Sequence, residues 1–366
     1  MTTETMARAA VLPLPVRIED VTREWLEAAL ASWTPGIGLN GFEIVDVIPG
    51  TCTKVRIRLD PDAAGRAAGL PELVVMKAGF EAHSRAMHYM HHEEVHAYAD
   101  VAPHSPLRMP KCYFAGYDAD ALQGIVIMED LRERGVEFLH PQKPQRPEQV
   151  ARRLTALARH HAMTIGSPDI EPGGRFAFAG DYIQGFDHFR GELFSPEVWQ
   201  SFVDSSRGAA ASVRFHSLDW MKGVLDTLLR NNHHGPRALI HGDTHLGNLY
   251  IDIDGEPGFF DSLPHIAPVM AEVAYHVTCA LDVPDRREHE RALVDHYRSE
   301  LIANGVDVPP LDELMHQFGI YLATGYLIFL VNASEFQPEA INTAYTARYS
   351  AAMLDHDTIG LVAALP

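Results

Sequence analysis

The chain has 366 residues, 46% of them apolar and 22% charged, with a formal net charge of −19. That mix excludes wholesale disorder, and the acidic balance leaves no surplus of Lys or Arg to displace counterions from nucleic acid. The length exceeds what one small core organises, so two packed lobes are expected.

The opening "MTTETMARAAVLPLPV" does not read as a secretory signal. A helix is expected over residues 21–33, where Trp25, Leu26, Ala29 and Leu30 fall on one side. Residues 42–50, 54–60 and 72–79 then read as strands, with Gly/Pro-bearing turns between them. A helix follows over about 84–100, and "GIVIMEDL" (124–131) reads as a buried strand. From about residue 146 the pattern is mostly helical, interrupted by a strand–turn–strand patch, "NLYIDIDGEPGFFD" (248–261), with its turn at Asp254-Gly255. The apolar "GYLIFLV" (325–331) is too short to span a bilayer, so no membrane partner is expected. Cys52, Cys112 and Cys279 form no CxxC and read as thiols of a reducing compartment, which points to the cytoplasm.

The stretch that carries chemistry is "LIHGDTHLGNLYIDIDGEPGFFD" (239–261). His241-Gly242-Asp243 is followed five residues later by Asn248, and the hairpin ends in Asp261. Phosphoryl-transfer loops use this spacing. Asp243 would accept or orient the proton of an attacking hydroxyl, while Asn248 and Asp261 offer hard oxygen ligands suited to Mg²⁺. Taken singly, each would read as a turn or strand-end residue; the joint pattern is much harder to dismiss.

"HGDTHLGN" with Asp261 resembles the aminoglycoside phosphotransferase and choline kinase superfamily, in particular the bacterial phosphotransferase enzyme family and its ecdysteroid-kinase-like relatives. The resemblance covers residue 40 onward. It implies an α+β, bilobal, protein-kinase-like fold: a β-rich N-lobe with one key helix over residues 1–131, and a mainly helical C-lobe over 132–366. It also implies a lysine on the third strand for nucleotide phosphates, which Lys77 matches, and a helical glutamate to hold it, which Glu94 matches. "MEDL" resembles the interlobe hinge, with Met128 behind the adenine and the backbone of Glu129 and Leu131 bonding its edge. The phosphate-covering loop is the weakest match. Gly50, Thr51 and Thr53 fit it loosely, and an ordinary β-turn fits equally. Two positions depart from the family pattern: Ser262 stands where an aromatic is expected, and Glu272 where an aspartate is. His161 reads as a core histidine and His245 as a loop-shaping one.

A competing motif is "HEEVH" (92–96), which fits the zinc-hydrolase pattern H-E-x-x-H. On a helix, Met87, Met90, Ala97 and Tyr98 fall within roughly 60° of Glu94, and His92 and His96 lie about 160° away. Those histidines are therefore expected on the solvent face, and the third zincin ligand is missing. The reading favoured is a kinase using ATP and Mg²⁺ on a small-molecule hydroxyl substrate, as a monomer or homodimer. An antibiotic kinase and a catalytically silent nucleotide-binding pseudokinase remain as alternatives.

Overall fold

The computed structural model describes residues 12–232 and 235–366, so most of the N-terminal stretch read against a secretory signal lies outside the described residues. The chain divides into two compact units, one of residues 1–104 with 109–136 and one of residues 105–108 with 137–366.

The first unit is built on a five-stranded antiparallel sheet in the order β1-β2-β3-β5-β4. Its strands are β1 (Leu39–Ile48), β2 (Thr53–Pro61), β3 (Leu73–Ala78), β4 (Cys112–Asp118) and β5 (Gln123–Glu129). Alternate residues of β2, including Val55, Ile57 and Leu59, are buried, the period-two signature of a strand with one face on a core. Helix α1 (Arg23–Ala31), capped by the Thr22 side chain on Trp25 N, adds Leu26 and Leu30 to that core. A short α2 (Ala63–Ala67) joins β2 to β3 and was not evident in the sequence. Strand β5 is buried from Gln123 to Met128, which explains its continuous apolar run. Its other face carries α3 (His88–His96), through Val95, Val126 and Met128.

The helix expected over about 84–100 is shorter than the pattern suggested. Residues 84–87 form turns, and a π-helical turn, Ala97–Val101, follows α3, with Ala102 N bonding Ala97 O at 2.8 Å. Inserting one residue per turn rotates the following side chains, so a constant 100° step holds only through His96. The unit closes with α4 (Leu131–Arg134), capped by Asp130.

The second unit is mainly helical. Its elements are β6 (Glu137–Phe138), α5 (Pro147–Ala162), α6 (Tyr182–Gly185), α7 (Pro196–Val203), α8 (Ser206–Ala209) and α9 (Leu218–Arg230). There follow β7 (Arg237–Ile240), β8 (Leu249–Ile251), β9 (Pro257–Phe259) and β10 (His265–Pro268). The chain finishes with α10 (Val269–Ala280), α11 (Val283–Ala303), α12 (Leu311–Val331), α13 (Glu339–Asp355) and α14 (Thr358–Ala363). All twelve residues of α10 are buried, with α12 and α13 packed against it. Strands β8 and β9 form the expected hairpin, and Gly255 in its turn takes φ +83, a conformation that favours glycine.

The apolar run "GYLIFLV" is the end of α12, whose 21 residues are long and apolar enough to cross a membrane by length and composition. Counting the run alone underestimated it, because the preceding turns continue the same helix. In the fold, 83% of its most apolar window is buried inside the protein.

Candidate active site

In the first unit, Lys77 on β3 and Glu94 on α3 form a buried ion pair, at 6% and 4% exposure. Lys77 is directed inward because β3 alternates about a sheet whose other face is packed, and Glu94 shares the buried side of α3 with Val95. The Cys52 thiol lies 3.8 Å from Glu94 Oε2, at the end of the β1–β2 turn. Gly50 O accepts a bond from the His83 imidazole at 3.0 Å. Thr53 is 2% exposed and donates its hydroxyl to Glu81 at 3.1 Å, so its side chain lies under the turn. His91, at 2% exposure, packs beneath the same turn beside the Thr51 backbone. Burial, reinforced by the charges of Lys77 and the neighbouring histidines, pushes its pKa down to about 4. The sequence reading missed it.

At the end of β5, Met128 is buried and Glu129 half-buried. The Glu129 carboxylate accepts from Lys111 N at 2.7 Å and from Arg134 at 3.0 Å. Leu131 begins α4, so its amide is one of the helix-start donors with no intrahelical acceptor.

In the second unit, "HGD" follows β7 directly. Gly242 has φ +90, and a Cβ there would sit 1.8 Å from the Leu263 carbonyl oxygen, so only glycine fits. Asp243 Oδ1 accepts from the Tyr275 hydroxyl at 2.9 Å, and Oδ2 accepts from Asn248 Nδ2 at 2.8 Å. Burial, then the Asp243 charge, pushes the Tyr275 pKa well up, so it stays a donor. With its amide nitrogen engaged, Asn248 presents Oδ1 as its remaining polar atom. His245 Nδ1 accepts from Gly247 N at 3.0 Å, which turns Nε2 toward Asp243 at 3.6 Å, too long for a hydrogen bond.

Asp261 follows β9 with φ +54, unusual for a residue with a Cβ. Its neighbours are tied to the HGD loop on both sides. Phe260 N donates to Asn248 O at 3.0 Å, Leu263 N to His241 O at 2.9 Å, and Ser262 Oγ to the same oxygen at 2.9 Å. Ser262, a departure from the resemblance, is therefore a buried clamp on this loop.

Glu272 is the other departure, and it anchors the loop. Its carboxylate accepts from Gly242 N at 2.7 Å, from His241 N at 3.1 Å and from His161 Nε2 at 2.8 Å. Burial alone would raise its pKa; the His161 bond and charge, with the His241 charge and the Gly242 N–H, outweigh that and bring it to about 2. His161 is a core residue as expected, and also the partner that holds Glu272, with its other nitrogen on Tyr297. On a helix as buried as α10, every polar side chain must find an internal partner. Glu272, Tyr275 and His276, three and four residues apart within "AEVAYHV", all bond the HGD loop. That run of polar residues in an otherwise apolar helix was the signal available in the sequence.

His92 and His96 do not face solvent as expected: both are half-buried. The His92 ring packs on Tyr117 of β4 at 4.7 Å, its Nε2 lies 3.1 Å from His96 Nε2, and His96 Nδ1 bonds Asp100. The sheet is wide enough to cover the flank of α3 as well as its inner face. Among the described residues, no group of three or more His, Cys, Asp or Glu is arranged to hold a metal ion.

The family model for ecdysteroid kinase-like proteins matches residues 85–307, more than half of the chain. The chain belongs to the ecdysteroid kinase-like family. The matched span contains Glu94, the β5 end and the whole HGD loop through Glu272. Among solved structures, a candidate aminoglycoside phosphotransferase from Ralstonia eutropha JMP134 is similar at 14% identity and a TM-score of 0.53, over 92% of this chain and 98% of that one. A choline kinase from Cryptosporidium parvum Iowa II is similar at 12% identity and a TM-score of 0.51, over 87% and 91%. These likenesses show that this ecdysteroid kinase-like chain has the kinase-like α+β fold, with an antiparallel-sheet N-lobe and a helical C-lobe. No curated protein matches the sequence.

Proposed function

We propose that this ecdysteroid kinase-like protein is an ATP-dependent small-molecule kinase that moves the γ-phosphoryl group to a hydroxyl of its substrate. The observation that carries the reading is the setting of Asp243. Both its oxygens are oriented by neutral donors, Tyr275 and Asn248, on a backbone that Glu272 anchors. Each oxygen keeps lone-pair capacity for a further donor, so an incoming hydroxyl would be bonded and aimed without competing with a fixed cation. The hydroxyl oxygen forms the new bond to the γ-phosphorus, the bond to the β–γ bridging oxygen breaks, and the hydroxyl proton passes to Asp243. ADP leaves.

Lys77, held by Glu94, would bind nucleotide phosphates, with the backbone of Gly50 and Thr51 close to them and Thr53 supporting the turn from beneath. Met128 and the backbone of Glu129 and Leu131 would take the adenine. Asn248 Oδ1 and the Asp261 carboxylate suit Mg²⁺, which prefers hard oxygen ligands and would supply neutralisation of phosphate charge. Positioning and charge compensation account for most of the rate in such chemistry.

The test is a panel of hydroxyl compounds with ATP and Mg²⁺, reading ADP release. Aminoglycosides, macrolides, choline, sugars, sterols and phenolic ketones belong in it. Substrate-dependent ADP release supports the reading. Nucleotide binding with no release across the panel, and no slow ATP hydrolysis, would favour a silent nucleotide-binding scaffold.

A further inference from the structure

The second unit contains a buried cation that the phosphoryl-transfer reading does not use. Arg153, on the inner face of α5, is 1% exposed and makes no ion pair among the described residues. Its Nε donates to His276 Nε2 at 3.1 Å, its Nη1 to Gln145 at 3.4 Å, and its Nη2 is buried with no hydrogen-bond partner. Burial without a counter-charge pulls its pKa down to about 9. A buried guanidinium with neither a carboxylate nor a full set of acceptors is costly, and folded proteins rarely leave one so. Arg153 is also one of the residues that line a cavity of about 300 Å³, at the small end of ligand-sized cavities. Arg146 and Arg152 stand exposed at its rim with one exposed carboxylate, Glu148, and Ile251 and Pro257 close its apolar side. Arg152 already donates to the Gly255 carbonyl at 3.1 Å, which fixes its stem over the opening. Three cations against one anion, beside the start of a 16-residue helix whose dipole is positive there, make a field for an anion.

We propose that Arg153, Arg146 and Arg152 form a binding site for a small oxyanion, a phosphate- or carboxylate-bearing metabolite, distinct from the Asp243 site and linked to it through His276. The link is a chain of two hydrogen bonds. His276 accepts from Arg153 at Nε2 and therefore carries its proton on Nδ1, which donates to the Thr244 carbonyl at 3.0 Å. Thr244 is the residue after Asp243. An anion held by Arg146 and Arg152 beside Arg153 supplies the counter-charge the guanidinium lacks, keeps it charged, and so steadies that end of the HGD loop.

The experiment titrates inorganic phosphate, and separately citrate, into the intact protein against sodium chloride of matched ionic strength, reading calorimetric binding and Tm. The expected result is saturable binding that raises Tm, weakened at least tenfold in an Arg146→Ala/Arg152→Ala variant. Those residues are exposed, so the fold is kept and the chloride Tm is unchanged. Arg153→Met is expected to abolish binding; if it does not fold, the rim variant decides alone. A stronger response to phosphate or to citrate names the source chemistry and supports the site either way. In ¹⁵N-histidine spectra, phosphate is expected to move the His276 signal in the wild type and not in the rim variant. A response equal to that of chloride, or phosphate binding unchanged in the rim variant, overturns the proposal.

Discussion

The two units hold their charged groups in opposite ways. In the first, Lys77 is matched by one full opposite charge, Glu94, brought from a different element. In the second, Asp243 is held by a hydroxyl and an amide, and Glu272 by backbone N–H groups and an imidazole. A charge paired with a charge is expensive to break, because the survivor is left buried. A charge held by neutral dipoles is oriented without being neutralised, and remains able to act on something else. The first unit's pair is thus a matter of stability and preorganisation, and the second unit's aspartate keeps oxygens that can accept from a further donor.

The contrast is broken most directly at Asp243. Asp243→Asn is expected to lower turnover on any panel substrate by about 10²–10⁴-fold, the usual scale for removing a general base, while Tm and nucleotide affinity stay close to wild type. Loss of nucleotide affinity in calorimetry would place the residue in binding instead. Glu94→Ala should do the reverse and destabilise the protein by about 3–5 kcal/mol, because Lys77 is left unpaired. Urea unfolding measures this, and Lys77→Met/Glu94→Leu should recover most of the loss. No recovery in the double variant would mean that the pair is not the source of the effect.

Acid tests the Glu272 anchor. Its folded pKa of about 2 lies below the unfolded value of 4.5, so its contribution is full above pH 4.5 and is lost as pH falls toward 2. That amounts to on the order of 3 kcal/mol. His160 and His276, whose pKa values burial pushes down to about 3, lose stability in the same direction from pH 6.5 downward. Tm should therefore be flat between about pH 6.5 and 8 and fall in two stages below that, and Glu272→Gln should shrink the stage below pH 4.5, to which Glu339, also brought to about 2, contributes. A wild-type Tm that is constant from pH 6.5 to 3 would contradict the assignment. The smallest effect is expected at "HEEVH": His92→Ala should change turnover by less than about twofold and stability by about 0.5 kcal/mol, since its hydrogen-bond partner is another half-buried imidazole, His96. A large loss of activity, with zinc in the purified protein, would reopen the hydrolase reading.

Local patterns in the sequence carried a good part of the fold. The alternation of β2, the unbroken apolar run of β5 and the Asp-Gly turn between β8 and β9 each reflect a rule that acts within ten residues. The helical phase around Glu94 was readable in part: Glu94, Ala97 and Tyr98 are buried, while Met87 and Met90, expected on the same side, are half-buried. It faltered at the π turn and at His92 and His96, where the extent of the covering sheet decides exposure.

The sequence by itself determined the kinase-like α+β class and the order His241, Asp243, Asn248, Asp261, because a loop and a hairpin are local objects. The tertiary structure alone decided what holds them. Glu272 reaches the HGD amides from 30 residues away, Ser262 clamps the His241 carbonyl, and Arg153 meets His276 across 123 residues of sequence. The physical reason is burial. Once α10 is surrounded on every side, each polar group on it must find its partner among whatever elements pack there, and spacing along the chain does not encode which ones do.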